Sequence, residues 1–440
     1  MQQERSTDIA VVGGGLAGLA AAGLAARGRA RVTLFEKAGA VGGRAVTQRR
    51  EGFSFNIGPH ALYCAGDATS VLRELGVTPA GKRPPLTGAY AVARGRRHAL
   101  PGGFVSLLTT SLLSLPGKLE VGRLLGSLAR LDTSGLHDVP VAEGIARIAR
   151  RDEVRELVAA LVRVATYANA PELQSAGAAF DQLKSAFGAG VLYLDDGWQT
   201  LVDGLRDAAV AAGAKIASAA RVDRLQDEPD RIGLRLADGS TVTARAVILA
   251  IAPEEVRDLL PPGAAFDAAS RWSSESVPVR AACLDVALSQ LPDQRAGFAL
   301  GIDRPLYLSV HSNSARLAPQ GGALIHVAKY LDPSHETDPA EDERELVALM
   351  ERMQPGWTRH VVHRRFLPRM TVANAVATAR AGGLRGRPRC AIPGLPGAFV
   401  AGDWVGPDGM LADASLASAR AAAGLALARV VGTGPRAVAA

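Results

Sequence analysis

Cysteine is almost absent from this sequence, with Cys64, Cys283 and Cys390 the only three in 440 residues. Odd in number and far apart, they form neither a disulfide framework nor a zinc spacing, and a reducing compartment suits them. Aromatic residues are sparse, at 5%, which argues against a site walled by aromatic faces. No uninterrupted apolar stretch reaches the roughly 20 residues of a membrane span. The polar stretch 1–7 is not followed by a cleavage signal, so a soluble or monotopic protein is expected, cytoplasmic or peripheral on the cytoplasmic membrane face. Long basic runs are missing too: the formal charge is +7, but it comes from scattered arginines and short pairs such as Arg49-Arg50, Arg96-Arg97 and Arg364-Arg365. That pattern speaks against nucleic acid as a partner. His360 and His363 lie in an apparent strand, would face opposite sides of it and lack nearby carboxylates, so no metal site is expected.

What is present begins at Asp8. The run Asp8 to Val12 reads as a short buried strand, Gly13, Gly14 and Gly15 as a tight turn, and Leu16 to Arg27 as a helix. Gly13, Gly15 and Gly18 match G-x-G-x-x-G, in which the glycines provide the turn, the approach of backbone to a pyrophosphate and close helix–strand packing. The opening N–H groups of the helix, around Leu16 and Ala17, would meet the pyrophosphate. A second strand, Arg31 to Phe35, ends at Glu36, the position where a carboxylate accepts hydrogen bonds from a ribose 2′-OH. Lys37 is grouped with it at the cofactor. At 440 residues the chain exceeds what one core usually supports, so two domains are expected.

A further glycine pair, Gly42-Gly43-Arg44, goes beyond what a nicotinamide-binding unit needs. Together with the dinucleotide motif it resembles the signature of the flavin amine oxidase, phytoene desaturase and protoporphyrinogen oxidase superfamily. The far end adds to that resemblance: Gly397-Ala-Phe-Val-Ala-Gly402-Asp403-Trp404 is a short strand ending at Gly-Asp, and the last helix begins near Leu411. The resemblance implies noncovalent FAD, with Arg44 neutralising the pyrophosphate, Asp403 on the ribityl chain and the backbone of Val222 at the adenine. It places the loop Gly58-Pro59-His60 against the isoalloxazine, with Asn56 where an aspartate is usual. Monoamine oxidases of this superfamily carry their flavin on a cysteine, but Cys390 sits too close to the closing motif to match. The implied architecture is an α/β two-domain flavoprotein. A Rossmann-like FAD-binding domain of discontinuous segments (1–95, 190–256 and 390–440) faces a mixed α+β substrate domain (96–189 and 257–389).

Candidate catalytic groups are His60, Tyr63 and Trp404. His60 is read either as a proton-transfer group or as a residue that orders its loop. Asp413 reads as the N-cap of the last helix, and Lys329 invites comparison with the flavin-facing lysine of amine oxidases without the surrounding motif. Leu86 to Leu100 reads as a pair of strands, and Lys215 to Leu225 as one strand through Val222. Between Phe104 and Leu131 two leucine-rich helices split by Pro116 carry interleaved basic residues. They are either a helical cap on the substrate domain or a patch that dips into a membrane. Three functions stay open. They are hydride transfer from a hydrophobic, isoprenoid or carotenoid-like substrate, oxidation of an amine or amino acid, and flavin-dependent isomerisation without net redox change.

Overall fold

A computed structural model of the chain describes residues 5–85 and 88–432. Strand β1 (Arg5–Val12) leads through the glycine turn into helix α1 (Leu16–Arg27) and strand β2 (Val32–Phe35). The hairpin of β3 (Thr47–Arg50) and β4 (Phe53–Asn56) follows, then β5 (Leu62–Tyr63), α2 (Asp67–Glu74) and β6 (Gly81–Lys82). The chain next builds β7 (Ala89–Ala93), β8 (Arg96–Ala99), α3 (Phe104–Thr109), α4 (Leu115–Ser127), α5 (Val141–Ile148), α6 (Asp152–Thr166) and α7 (Ala176–Gly188). It returns through β9 (Val191–Leu194), α8 (Gln199–Ala211), β10 (Lys215–Ala217), β11 (Val222–Glu228), β12 (Arg231–Leu236), β13 (Thr241–Leu249), α9 (Pro253–Leu259) and α10 (Ala264–Glu275). A second excursion makes β14 (Val279–Leu288), β15 (Phe298–Gly301), β16 (Leu306–Val310), β17 (Ala323–Tyr330), α11 (Pro339–Met353) and β18 (Val361–Ala373). The chain closes on β19 (Ala398–Val400) and α12 (Leu411–Val431).

Two large sheets result. The first has the order β10-β2-β1-β13-β12-β11, with β19 also beside β13. Its centre, β1, is parallel to both β2 and β13, and Ile9, Ala10 and Val11 are wholly buried, as a strand covered on both faces requires. The small residues of α1 let α8 and α12 pack close: a Cβ on Gly28 would strike Leu427, and one on Gly23 would touch Ala209. Helix α12 is long and apolar enough to cross a membrane by length and composition. Its Leu416, Ala419, Ala422, Ala423 and Ala426 are instead buried in the first core.

The second sheet runs β18-β14-β17-β16-β15-β7-β8. Alternation along its strands divides its residues between two faces. Leu284, Val286, Ile325 and Val327 meet Leu346, Leu349 and Met350 of α11. Ala281, Cys283, Ala328 and Tyr330 turn to the opposite face, beside Tyr167 and Met370.

Three expectations change here. The hairpin β7–β8 belongs whole to the second sheet, because β7 pairs in parallel with β15; a boundary at residue 95 would cut it. That hairpin is the strand pair expected from Leu86, although Leu86 and Thr87 themselves lie outside the described residues. Helix α10 sets Ala265, Ala269 and Trp272 on the first core, which extends the first unit beyond 256. The expected single strand over 215–225 is two, β10 and β11, because the chain turns at Ala219 (φ 53) and donates Ala219 N to the Ala38 carbonyl.

Asp413 is not the cap of its own helix. Its Oδ1 accepts the N–H of Ala68 at 2.8 Å, so it caps the start of α2, and Arg420 of α12 pairs with Asp67 beside it. Burial pushes the Asp413 carboxyl up to about 6, against the Ala68 N–H that lowers it. With a folded pKa above the unfolded one near 4, stability falls as pH rises through that window and is flat above it. Asp413→Asn keeps the acceptor and removes the charge. We expect it to raise the unfolding midpoint at pH 8 and to do so progressively less toward pH 5, as read by thermal melts across that range.

Candidate functional site

One cleft, of about 760 Å³, lies between the C-terminal ends of β1, β2 and β13 and the second sheet. Its glycines divide by what surrounds them. Gly13 takes φ +100, and a Cβ there would meet the Ala250 carbonyl at 2.5 Å. A Cβ on Gly18 would stand 1.8 Å from the Gly13 carbonyl, so this glycine serves helix–strand packing and does not line the cleft. Gly15 has ordinary backbone angles (φ −75), and nothing lies within 4 Å of a Cβ built on it. The open space in front of Gly15 is cleft, and the N-terminus of α1 at Leu16 and Ala17 faces the same space. Backbone donors and a helix N-terminus converging there make an anion site.

The buried Glu36 carboxylate is anchored by the N–H groups of Gly14 (2.6 Å, to Oε2) and Ala38 (2.8 Å, to Oε1). A carboxylate has about four acceptor positions, so each oxygen retains capacity toward a ribose. Val222 reaches the same end of the cleft because of the turn at Ala219. Lys37 is there too and pairs with Glu255 of α9. A carboxylate end, an anion-binding middle and a long cleft beyond fit a dinucleotide cofactor.

Gly43 and Arg44 line the cleft, but Arg44 does not stand alone as an anion neutraliser. Its guanidinium pairs with Asp403 at 2.9 Å and donates to the Val372 carbonyl at 2.8 Å. Asp403, 3% exposed, also accepts from the Asn374 backbone N–H (3.2 Å) and side-chain amide (2.9 Å). The early motif, the closing motif and the end of β18 thus meet on one carboxylate. Gly402 and Leu411 are beside it on the cleft wall, with Leu411 at φ 56 where α12 begins.

The loop after β4 is held from both sides. Asn56, in the position of the family's usual aspartate, accepts from the Trp198 backbone N–H at 2.9 Å and the Thr47 hydroxyl at 2.7 Å. Gly58 stands behind the wall at φ +72, packed on Met370 and Cys283, while Pro59 and His60 face the cleft. The His60 Nδ1 lies 3.1 Å from the Gly58 carbonyl, a pure acceptor, so Nδ1 carries the hydrogen. Its ring stands edge-on to Trp198 at 4.8 Å. Burial pushes its pKa down to about 4, against the pull of the Gly58 carbonyl. The imidazole is therefore neutral near pH 7, which favours loop ordering over proton transfer.

Two candidate catalytic residues are elsewhere. Tyr63 is buried off the cleft, its hydroxyl donating to the Ala165 carbonyl at 2.6 Å, with burial holding its phenol protonated. Trp404 turns under the cleft floor. Its Nε1 donates to the Ile251 carbonyl at 3.0 Å and its ring packs on Trp272 at 5.8 Å. Lys329 points to the other face of the second sheet, paired with Asp342 (2.7 Å) and Glu345 (3.0 Å). His360 closes a 3₁₀ turn and His363 stands edge-on to Phe55. The Cys390 thiol is buried near the Ser418 carbonyl of α12, where burial pushes its pKa up to about 11. None of the three cysteines lines the cleft.

Besides Phe35 at the end of β2, the aromatic groups that do line it are Tyr167 and Trp198. Tyr167 sits at the end of α6 in a left-handed conformation (φ 59), backed by Tyr330 at 6.2 Å. Neither was singled out from sequence, and a helix-ending tyrosine carries no local signal for that role. Met370, Thr371 and Val372 of β18 complete this wall.

Comparison with known proteins agrees with this geometry. A family model described as flavin containing amine oxidoreductase matches residues 16–426. Coproporphyrinogen III oxidase from Propionibacterium freudenreichii subsp. freudenreichii is 33% identical over 147 residues, 30% of this chain and 27% of that protein. The 4,4'-diapophytoene desaturase of Staphylococcus haemolyticus is 46% identical over 69 residues, 16% of this chain. The chain thus spans only 27% and 14% of the lengths of these two curated relatives. An oxidoreductase from Methanosarcina mazei shares the fold, with a TM-score of 0.75 at 18% identity over 94% of this chain and 99% of that one. By the match over 16–426, the chain belongs to the family of flavin containing amine oxidoreductases.

Proposed function

We propose that this protein binds FAD without a covalent link and oxidises a neutral, hydrophobic, isoprenoid-like substrate. The observation that carries this reading is the wall opposite the dinucleotide motif. Ile57, Pro59, His60, Ala61, Tyr167, Trp198, Met370 and Thr371 form it, and none is a carboxylate. The acids on the cleft are Glu36, Asp223, Glu255, Asp258 and Asp403, of which Glu255 is paired with Lys37 and Asp403 with Arg44. An ammonium group would find no counter-charge on that wall, whereas an apolar chain gains from each covered carbon.

The adenosine end at Glu36 and Val222 supports FAD over a mononucleotide, and the buried Cys390 supports a noncovalent link. When bound, the flavin supplies the hydride acceptor. Gly15 and the start of α1 hold the diphosphate, and the opening of α12 at Leu411 provides a positive helix end to balance negative charge. Neutral His60 fixes the loop that faces the ring. The short match to a diapophytoene desaturase supports the hydrophobic reading, and the longer match to a coproporphyrinogen oxidase names its nearest competitor.

The test is anaerobic bleaching of the flavin absorbance of the purified holoprotein. Polyprenes in liposomes are expected to bleach it at substoichiometric enzyme, while primary and secondary amines leave it unchanged. Bleaching by amines or by a porphyrinogen, with none by polyprenes, would overturn the substrate assignment.

A further inference from the structure

Five of the eleven exposed large hydrophobic side chains among the described residues fall within 104–119: Phe104 (77%), Val105 (72%), Leu108 (56%), Leu115 (78%) and Leu119 (68%). They occupy α3 and the first turns of α4, which Ser114 starts by accepting the Gly117 N–H, with Pro116 in the first turn. This is not a core face left bare. The inward leucines of the same segment, including Leu107, Leu112, Leu124 and Leu125, already pack against the cluster of α5, α6 and α7. The segment is apolar on both its sides, and among the described residues only one side has a protein partner.

Its charge is one-sided as well. Between Arg96 and Leu131 the ionised residues are Arg96, Arg97, Lys118, Arg123 and Arg130 against one acid, Glu120. That acid is taken up by the Arg150 N–H and the Arg151 guanidinium. Arg123 and Arg130 are exposed. Arg97 is paired with Asp293, and Glu153 of α6 accepts from the Ser114 N–H and hydroxyl at the start of α4, so the free positive charge is that of Arg123 and Arg130. Exposed apolar side chains followed by exposed arginines match the acyl boundary and headgroups of an anionic bilayer. We propose that the α3–α4 face docks on such a bilayer. A second copy of this chain is a poorer occupant: a standard interface uses about 20–30 residues a side, and a self-contact would bring like charges together. The face is also tied to the cleft, since α4 packs on α6 and α6 ends at the cleft-lining Tyr167. This inference goes beyond the substrate reading and does not depend on it, because docking is measured without substrate.

The experiment is flotation of the full-length holoprotein with vesicles of phosphatidylcholine alone or of phosphatidylcholine and phosphatidylglycerol in equal parts. The protein is expected to float with the anionic vesicles, less so as salt rises, and to stay below with the neutral ones. The combined variant Phe104→Ser, Val105→Ser, Leu115→Ser, Leu119→Ser should lower partitioning about tenfold or more while keeping the flavin spectrum and unfolding midpoint. Arg123→Glu with Arg130→Glu, which leaves the apolar face intact, should also weaken binding to the anionic vesicles. Wild-type protein that fails to float, or variants that float as well as wild type, would overturn the proposal. So would a wild-type dimer in solution that the serine variant converts to monomer, which would assign the face to a second copy.

Discussion

Gly15→Val is expected to leave a folded protein that has lost most of its flavin. The backbone at Gly15 is one that any residue adopts, and a Cβ there touches no protein atom within 4 Å. A valine side chain therefore costs the apoprotein little and projects into the space proposed above for the diphosphate at the start of α1. Separation by even a few ångströms would remove the hydrogen bonds that the Gly15, Leu16 and Ala17 N–H groups would make to that anion. Charge-assisted bonds of this kind contribute about 1.5–3 kcal/mol each, so losing two lowers affinity by roughly a hundredfold or more. Gly18→Val is the counterpart. Its Cβ would overlap the Gly13 carbonyl at 1.8 Å, forcing α1 away from β1, and it is expected to yield insoluble protein. Flavin per polypeptide and the far-UV spectrum of the soluble fraction separate the two cases. A Gly15→Val protein with full flavin content would show that the diphosphate does not sit at this turn.

The contrast between these glycines also shows what was legible in the sequence. The turn at Gly13, the start of α1 and the placement of Glu36 depend on residues within about two dozen positions of one another, and local spacing carries them. Features decided by distant partners were not legible. Trp404 reads as a flavin-facing aromatic until its N–H is seen to meet the Ile251 carbonyl, 153 residues earlier. Asp413 reads as an N-cap for α12, yet the N–H it accepts belongs to Ala68, 345 residues away. Arg44 and Asp403 were each expected at a different part of the cofactor, and they pair with each other. The unit boundary near 95 failed for a related reason, since β7 finds its parallel partner at 298–301. Tyr167 owes its place on the cleft to a left-handed residue at the end of α6, a conformation that an ordinary tyrosine codon does not announce.

Asp285→Ala is expected to be the most destabilising single change in the second sheet. Asp285 is wholly buried at the centre of a row across three adjacent strands: Arg365 on β18 pairs with its Oδ2 at 2.5 Å, and His326 Nδ1 on β17 lies 2.6 Å from its Oδ1. The row follows from register, because Asp285 is directly opposite His326 on one side and Arg365 on the other. Arg365 also donates to the Asn56 carbonyl, so the carboxylate orients the cation that fastens the His60 loop to the sheet. Removing one partner of a buried ion pair leaves an uncompensated charge and costs about 3–5 kcal/mol. Burial alone would raise the Asp285 pKa, but His326 and Arg365 outweigh it and hold the carboxyl below its ordinary range. The sign follows from linkage: this group's contribution is present above the unfolded pKa near 4 and is lost as pH falls through the lower folded value. Asp285→Asn keeps an acceptor for Arg365 and is expected to lose less than alanine. Asp285→Ala combined with Arg365→Leu should recover part of the loss, because the stranded cation is gone. Thermal melts at pH 7 order these three variants. An alanine variant as stable as wild type would mean that Arg365 finds another anion or water, and that the row does not hold the loop.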